Sequence, residues 1–257
     1  MFEAMDAARD HINLETYILD EGEIAERLAL LLVKKASAGV RVNLMYDAVG
    51  SLKTPREYFD RLRAAGVNVC EFNPVKRVAK VNHRDHRKTL TVDGRVAFTG
   101  GINVSETYAS SSIRARQTPG KEKKEGWRDT QVRVEGPVAA EFERLYLATW
   151  KAQQHCEPTA EAHYFPRLEP RGNKVVRLVK AAPEEGSEMY AALLEAIGKA
   201  ERRIWLTFGY FVPDPKMRQA LIDAARRGVD VELVLPGYSD FWAPVNAGRS
   251  SYDALLA

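Results

Sequence analysis

Long apolar runs are scarce in this sequence of 257 residues. The longest strongly apolar stretch runs from Leu28 to Val33, far short of the roughly 20 residues that a membrane-spanning helix needs. The first residues are acidic and lack the basic segment that opens a secretory signal. We therefore expect no transmembrane segment in this chain, so that any contact with a membrane would be made from its surface.

Cysteine is also scarce, because the sequence holds only Cys70 and Cys156. The two lie far apart and do not form the closely spaced clusters that are typical of metal sites or disulfide frameworks. The sequence therefore predicts two reduced thiols and no metal site.

A large excess of one charge is absent as well. Lysine and arginine total 38 against 35 acidic residues, which gives a net charge of +3. This balance does not favour a polycation that coats nucleic acid, although it leaves room for a local basic patch. Hydrophobic residues make up 45% of the chain and charged residues 28%, which is typical of a globular protein with a real core.

Strand and helix patterns alternate along the first third of the chain. Period-two alternation and short apolar runs predict strands at Ile12–Ile18, Val40–Tyr46 and Val67–Phe72. Helical spacing predicts helices between them at Ile24–Ala38 and Pro55–Ala65, with Thr54 as the N-cap of the second. This alternation indicates an α/β fold with a mixed, mostly parallel sheet flanked by helices.

The sequence contains an internal repeat. Ala8–Leu14 matches Ala200–Leu206 in pattern, and Ala38–Leu44 matches Arg227–Leu233, which favours a duplication. We expect a first repeat at 1–155, a linker rich in proline at 156–173, and a second repeat at 174–257. The second copy stops within a helical pattern, so we expect it to be incomplete.

The most informative segment begins at His86. Lys88–Val92 and Arg95–Thr99 read as two strands joined by Asp93-Gly94, a strong hairpin signal. Side chains two apart on a strand share a face, so His86 and Lys88 are expected to point to the same side. A neutral imidazole beside an ammonium suits attack on a phosphodiester, with the cation balancing charge on the non-bridging oxygens.

Residues after the hairpin extend the candidate site. Gly100 and Gly101 would let the backbone approach a ligand closely, and Asn103 could donate an amide hydrogen bond to a phosphate oxygen. Asp93 could orient an imidazole through its ring N–H.

Three aromatic residues are further candidates for substrate contact. Tyr17 and Tyr210 occupy matching places in the two copies, which suggests positions near the site, with core packing as the alternative. Trp127 is a candidate wall of the pocket, and an ordinary packed aromatic is the alternative.

The pattern His86-x-Lys88-x4-Asp93-Gly94, followed by Gly100-Gly101-x-Asn103, resembles the HKD signature of the phospholipase D superfamily. The surrounding residues resemble bacterial cardiolipin synthases. The resemblance implies a phospholipase D-like repeat fold and a phosphatidyltransferase that moves a phosphatidyl group between phospholipids through a phosphohistidine. It also implies that His86 is the nucleophile and that no metal, nucleotide or other cofactor takes part.

The sequence departs from that family in one respect. Such enzymes use two HKD motifs, whereas this chain has one and contains no histidine after His163. We therefore expect the second repeat to be truncated before its motif and the chain to be inactive by itself.

The resemblance also sets expectations for partners and place. It implies an anionic, phosphatidylglycerol-like substrate and a peripheral position on the cytoplasmic side of a bacterial membrane. Two alternatives stay open beside the transferase. One is a phosphodiesterase or nuclease of the same superfamily that builds its site across a homodimer, and the other is a non-catalytic, lipid-binding remnant.

Overall fold

The structure is a computed structural model that describes residues 1–74, 84–109, 129–159, 161–180, 188–235, 237 and 242–257. The chain forms two compact units, Met1–Leu178 and Val179–Ala257. Each unit has its own apolar core of buried side chains.

The first unit is built on a six-stranded sheet. Its strands are β1 (His11–Thr16), β2 (Arg41–Asp47), β3 (Asn68–Phe72), β4 (Thr89–Val92), β5 (Val96–Gly100) and β6 (Gln131–Glu135). Its helices are α1 (Phe2–Asp6), α2 (Glu23–Ser37), α3 (Arg56–Ala64), α4 (Glu106–Ala109) and α5 (Ala139–Ala152).

The strands of this sheet lie in the order β3-β2-β1-β4-β5-β6. The pairs β1–β2 and β2–β3 are parallel, and β4 pairs antiparallel with β1. The pairs β4–β5 and β5–β6 are also antiparallel, so β5 runs in the same direction as β1, β2 and β3. The sheet is therefore mixed and mostly parallel in direction, which confirms the predicted fold class.

Helix α2 covers one face of the sheet because its apolar residues recur every three or four positions. Ala25, Leu28 and Leu32 are buried, whereas Leu30 points outward and is 71% exposed. The opposite face is covered by α5, whose Tyr146 and Trp150 pack against Met45 and Cys70. Both faces of β1 are buried as a result.

Polar contacts fix the position of α5 as well. Glu143 accepts a hydrogen bond from Asn13 Nδ2, and its Oε2 lies 3.3 Å from His11 Nε2. Tyr146 donates its hydroxyl to the Asn43 carbonyl at 3.1 Å. Burial opposes a charge on His11, but hydrogen bonds with Glu143 and Asp10 outweigh burial and raise the pKa of the ring.

The five elements predicted between residues 12 and 72 are all present, and each boundary lies within two residues of the expected one. The predicted cap at Thr54 is wrong. Pro55 occupies the N-cap position of α3, one residue later, and that position has no side-chain cap. The Thr54 hydroxyl donates instead to the Leu19 carbonyl, because it lies one residue too early to reach the first turn.

The predicted hairpin between β4 and β5 is confirmed. Asp93 and Gly94 have φ values of 53° and 61°, the pair of left-handed residues that a tight hairpin turn requires. The Asp93 carboxylate points away from the turn and accepts hydrogen bonds from backbone N–H groups at and just before the start of β1. Its donors are the backbone N–H groups of Arg9 at 2.9 Å, Asp10 at 2.8 Å and His11 at 3.0 Å.

The second unit contains a two-stranded parallel sheet. Its elements are α6 (Glu188–Lys199), β7 (Arg203–Thr207), α7 (Pro215–Arg226), β8 (Asp230–Val234), α8 (Trp242–Arg249) and α9 (Tyr252–Leu256). Asp214 is the N-cap of α7, and its side chain accepts a hydrogen bond from Met217 N–H. Pro215 occupies the first helical position.

The two units repeat the same pairing register. The β1–β2 ladder pairs His11 with Arg41, and β7–β8 pairs Arg203 with Asp230. These four residues occupy equivalent places in the sequence match. The backbone N–H at the start of the second strand also bonds equivalent carbonyls, those of Asp10 and Arg202. A shared register between matched residues supports the predicted duplication.

The prediction of two reduced thiols is wrong, because Cys70 and Cys156 form a disulfide with their Cα atoms 5.4 Å apart. Cys70 lies on β3, and Cys156 follows α5, which packs on that part of the sheet. Packing of α5 therefore brings together two residues that are 86 positions apart in the sequence.

Within the part of the chain that the structure describes, no helix combines the length and the apolar character needed to cross a bilayer.

Reduction of the Cys70–Cys156 bond should lower the stability of the first unit. The bond closes a loop of 86 residues, and a disulfide typically contributes about 2–4 kcal/mol by restricting the unfolded chain. Urea unfolding with and without dithiothreitol, followed by circular dichroism, measures the difference. The Cys156→Ser variant is the control and should match the reduced wild type under both conditions. Equal midpoints for the oxidised and reduced wild type would contradict the bond's presence.

The Asp93→Ala variant should lose stability, because three backbone N–H groups lose their acceptor. Hydrogen bonds to a charged group are typically worth about 1.5–3 kcal/mol, and we expect a loss of that order in the free energy of unfolding. Asp93→Asn is the matched variant, because asparagine keeps an acceptor oxygen and tolerates the left-handed turn. Unfolding curves that coincide for wild type and alanine variant would rule out this structural role.

Candidate active site

His86 and Lys88 lie in the extended segment that leads into β4, and both contact the ring of Tyr17. The imidazole centroid is 4.4 Å from the Tyr17 ring centroid, and Lys88 Nζ is 5.0 Å from the same centroid. Lys88 Nζ also donates to the His86 carbonyl at 2.5 Å. The structure therefore brings these three predicted residues together.

The two groups differ in their exposure. His86 is exposed, whereas Lys88 retains only 5% of its accessible surface. An incoming ligand can therefore reach the imidazole directly, while the ammonium is held beneath it in a partly desolvated position. This arrangement places an imidazole on the surface and a positive charge behind it.

The end of β2 fixes the position of Tyr17. A Cβ atom on Gly50 would lie 2.1 Å from the Tyr17 carbonyl oxygen, so only glycine lets the two segments approach this closely. Asp47 shapes that turn by accepting from Val49 N–H at 2.8 Å and Gly50 N–H at 3.0 Å. Ser51 Oγ donates to the Tyr17 carbonyl at 3.2 Å.

The surroundings of His86 favour a neutral ring. Loss of surrounding water lowers the pKa of the imidazole, and the Lys88 ammonium lowers it further. The ring nitrogens have no hydrogen-bond partner among the residues that the structure describes. At neutral pH the ring is therefore uncharged, with a nitrogen lone pair free to attack an electrophile.

Burial lowers the pKa of Lys88 to about 8. Carboxylates around it act in the opposite direction, and they belong to Asp85, Asp129, Asp47 and Glu15. The amine is therefore mostly protonated at neutral pH and loses its charge as the pH rises through about 8. A bound phosphate would add negative charge beside it and favour the charged form.

A buried acidic pair beneath the site was not predicted. Glu15 and Asp85 share a hydrogen bond, and burial raises the pKa of Glu15 well above its usual value. Burial alone would raise the pKa of Asp85 too, but hydrogen bonds from Glu15 and Arg87 lower it. Arg87 Nε donates to Asp85 Oδ1 at 2.9 Å, and Thr89 Oγ1 donates to Glu15 Oε2 at 2.7 Å.

This cluster ties the segment that carries His86 to β1. Glu15 alternates with Ile12 and Leu14 along β1 and shares a face with His11 and Asn13, and this polar row within a predicted strand is the signal that could have identified it from the sequence. An acidic residue buried inside a strand needs a partner, and Arg87 supplies one with its Nη2 atom 3.2 Å from Glu15 Oε1.

Asn103 is buried next to the site and holds the segment after Tyr17. Its Oδ1 accepts from Ile18 N–H at 2.9 Å, and its Nδ2 donates to the Tyr108 hydroxyl at 2.8 Å. An amide nitrogen carries two hydrogens, so one remains for a ligand.

Gly101 makes room for an acidic neighbour. A Cβ atom at this position would lie 2.0 Å from Asp129 Oδ1, which is one of the carboxylates that act on Lys88. The glycine therefore admits a carboxylate near the ammonium.

Asp93 does not lie beside His86. His86 precedes β4 and Asp93 follows it, so the whole strand, which alone spans roughly 13 Å, lies between them. The Asp93 carboxylate binds backbone N–H groups at the start of β1 instead. The structure thus gives Asp93 a structural contact in place of the expected contact with the imidazole.

The other two predicted residues lie elsewhere. Trp127 is outside the described residues. Tyr210 belongs to the second unit, where it is 45% exposed.

Three side chains of the first unit are of types that can bind a metal ion. Cys70, His155 and Cys156 place ligand atoms within 4.8 Å of one another. The two sulfurs are bonded to each other, so they do not form a thiolate site.

Sequence comparison identifies a family. The model of the family described as "Cardiolipin synthase, PLD-like domain" matches residues 1–112 and 193–257. The cardiolipin synthase of Geobacillus kaustophilus (strain HTA426) is 36% identical over 263 residues, covering 100% of this chain and 50% of that protein. The probable cardiolipin synthase YwiE of Bacillus subtilis (strain 168) is 30% identical over 259 residues, with the same coverage. The chain spans about half the length of these relatives.

Two solved structures show the same fold at low sequence identity. Phosphatidylserine synthase from Haemophilus influenzae Rd KW20 matches with a TM-score of 0.62 and 13% identity, covering 98% of this chain and 63% of that one. Polyphosphate kinase from Porphyromonas gingivalis matches with a TM-score of 0.53 and 16% identity, covering 94% and 36%. Since the family model covers most of the sequence, including the segment that carries His86 and Lys88, this chain belongs to the phospholipase D-like domain family of cardiolipin synthase.

Proposed function

We propose that this chain carries one half of the active site of a phosphatidyltransferase of cardiolipin synthase type. The observation that supports this most directly is the meeting of an exposed His86 and a buried Lys88 on the Tyr17 ring. The names of the similar full-length proteins point to the same reaction. The substrate we propose is an anionic phospholipid such as phosphatidylglycerol.

In the first step, the neutral His86 ring attacks the phosphorus of the phosphodiester. A P–N bond forms while the P–O bond to the leaving glycerol breaks, and the departing oxygen takes a proton from an acid. The product is a phosphatidyl group carried on His86. The lowered pKa of the ring supports this role, because protonation would block the attacking lone pair.

Lys88 stabilises the negative charge that grows on the non-bridging oxygens during this attack. Its ammonium is buried, so its interaction with an oxyanion is screened less than it would be in water. The hydrogen bond to the His86 carbonyl keeps the cation close to the nucleophile. We propose Asn103 as a second donor to the phosphate oxygens, through the Nδ2 hydrogen that the Tyr108 hydroxyl does not accept. The space at Gly101 is taken by the Asp129 carboxylate, so we do not propose Gly101 as a contact of the phosphate.

In the second step, a hydroxyl of the acceptor phospholipid attacks the phosphorus and the P–N bond breaks. The hydroxyl gives its proton to a base, and His86 returns to its neutral form. We infer that this acid and base belong to a second motif, since the sequence holds one His-x-Lys-x4-Asp and no histidine after His163. A second copy of this chain is one source of such a group.

We place the reaction at a membrane surface, because both the donor and the acceptor are lipids. A peripheral position on the cytoplasmic side of the bacterial membrane fits this proposal. Tyr210 and Trp127 are proposed substrate contacts. Nucleic acid is not a proposed partner.

A phosphodiester with a good leaving group tests the attack by His86 by itself, because its leaving group does not need the proton donor of the first step. Phosphatidyl-p-nitrophenol releases a phenolate that needs no proton donor. We expect a burst of about one p-nitrophenolate per chain and an acid-labile phosphate on His86. Mass spectrometry of the quenched protein locates the label.

Two variants sharpen this experiment. His86→Ala should abolish the burst, and Lys88→Met should slow it by about 10²–10³-fold, which is typical for the loss of an oxyanion-stabilising group. His163→Gln is the matched control, because His163 is a highly exposed histidine of the same unit and should leave the burst unchanged. A burst of full size from the His86→Ala variant would reject the proposed nucleophile.

A further inference from the structure

An apolar cavity of about 390 Å³ lies inside the first unit, next to the candidate active site. This volume falls within the roughly 300–1,000 Å³ of typical small-molecule sites. Its walls include Leu14 from β1, Ile24 and Leu28 from α2, Phe98 from β5, and Ile102 just after β5. A space of this size lined by such residues favours a hydrocarbon ligand over water.

The cavity reaches the residues of the proposed active site. Lys88 and Asn103 both contribute to its lining. A molecule that filled the apolar space could therefore place a polar group against the Lys88 ammonium. That combination suits an amphiphile that carries a phosphate.

Gln131 supplies an independent polar feature of the same cavity. It lies on β6, and both polar atoms of its side chain are buried with no hydrogen-bond partner among the described residues. Buried amides are normally paired, so an amide left without a partner beside a cavity is a position where a ligand can supply the missing hydrogen bond.

Sheet register sets the spacing between Lys88 and Gln131. The β4–β5 ladder pairs Thr89 with Thr99, and its continuation sets Lys88 level with Gly100. The next ladder pairs Gly100 with Gln131. Lys88 and Gln131 therefore stand two strands apart, about 9–10 Å between backbones.

Gly100 lies between these two residues and has no side chain. A Cβ atom there would lie 2.6 Å from Gln131 Oε1, so the glycine leaves that space to the amide of Gln131. The row thus consists of a cation, a residue without a side chain and the amide that occupies the space over it. A phospholipid offers complementary groups in the same order, since a phosphate is followed by the glycerol backbone and then by an ester carbonyl.

We propose that this cavity binds one acyl chain of the phospholipid substrate, with Gln131 Nε2 donating to the ester carbonyl while the phosphate lies at Lys88. The inference rests on the proposed function and adds to it the residues that select an acylated substrate. Gln131 is here a binding residue.

Binding of monomeric lysophosphatidylglycerols to the 257-residue chain, measured by isothermal titration calorimetry, tests this proposal. Affinity should rise roughly three- to fourfold for each added CH₂ until the cavity is full, since each buried methylene adds a similar apolar contribution. Glycerophosphoglycerol, which has the headgroup without the chain, should bind far more weakly. Affinity that does not depend on chain length would overturn the proposal.

Substitutions in the cavity wall test where the acyl chain binds. Ile24→Trp should fill the cavity and reduce the affinity for the longest lipid at least tenfold. Leu30→Trp is the matched control, because Leu30 lies on the same helix and is 71% exposed. Ile102→Trp provides a second filling variant on a different segment, in case the first one does not fold. Equal affinities for folded filling variants and control would reject this cavity as the binding site.

The role of Gln131 has its own test. Gln131→Leu should weaken binding of the ester-linked lipid about two- to tenfold, the range expected for one hydrogen bond. The Gln131→Leu variant and the wild type should bind an ether-linked analogue with equal affinity, because that analogue has no carbonyl. An equal loss for both lipids would contradict the proposed contact.

These readouts are independent of turnover. Affinity that rises with acyl-chain length and is lost in the cavity-filling variants would support the acyl-chain site. This support would hold even if His86 never becomes labelled. The absence of a label would reject only the proposed transferase reaction. Labelling of His86 without chain-dependent binding would support the chemistry and overturn the acyl-chain site.

Discussion

The candidate site depends on one contact, the packing of His86 and Lys88 against the ring of Tyr17. This contact keeps a cation near an imidazole, and the proximity lowers the pKa of the ring. The Tyr17 backbone is itself held by the turn at Gly50, which Asp47 shapes from the end of β2. A strand that carries no part of the motif therefore sets the position of the proposed nucleophile.

The two units share a backbone motif but differ in how their strands are buried. Both contain a strand–helix–strand motif with the same register. In the first unit α5 covers the second face of the sheet, and β1 is buried throughout. In the second unit β7 alternates between exposed and more buried residues, and Trp205 is 60% exposed. The proposed reactive groups, His86 and Lys88, lie in the segment that leads into β4 of the first unit.

Much of this could be predicted from the sequence, because local patterns determine strands, helices and tight turns. The Asp93-Gly94 turn and the elements before residue 72 followed from such patterns, as did the closeness of His86 and Lys88. Contacts set by tertiary packing did not follow. The Cys70–Cys156 bond requires α5 to lie on the sheet, and the Asp93 carboxylate finds its donors on another strand. The buried pair of Glu15 and Asp85 was missed for the same reason.

The most direct test of this account is a titration of His86 followed by nuclear magnetic resonance of the ¹⁵N-labelled ring, in wild type and in Lys88→Met. We expect a wild-type pKa below the usual 6.5, with the neutral ring dominant at pH 7. We expect a higher pKa in the variant, because the neighbouring positive charge has been removed. A wild-type pKa at or above 6.5 that does not change on substitution of Lys88 would show that Lys88 does not keep the ring neutral.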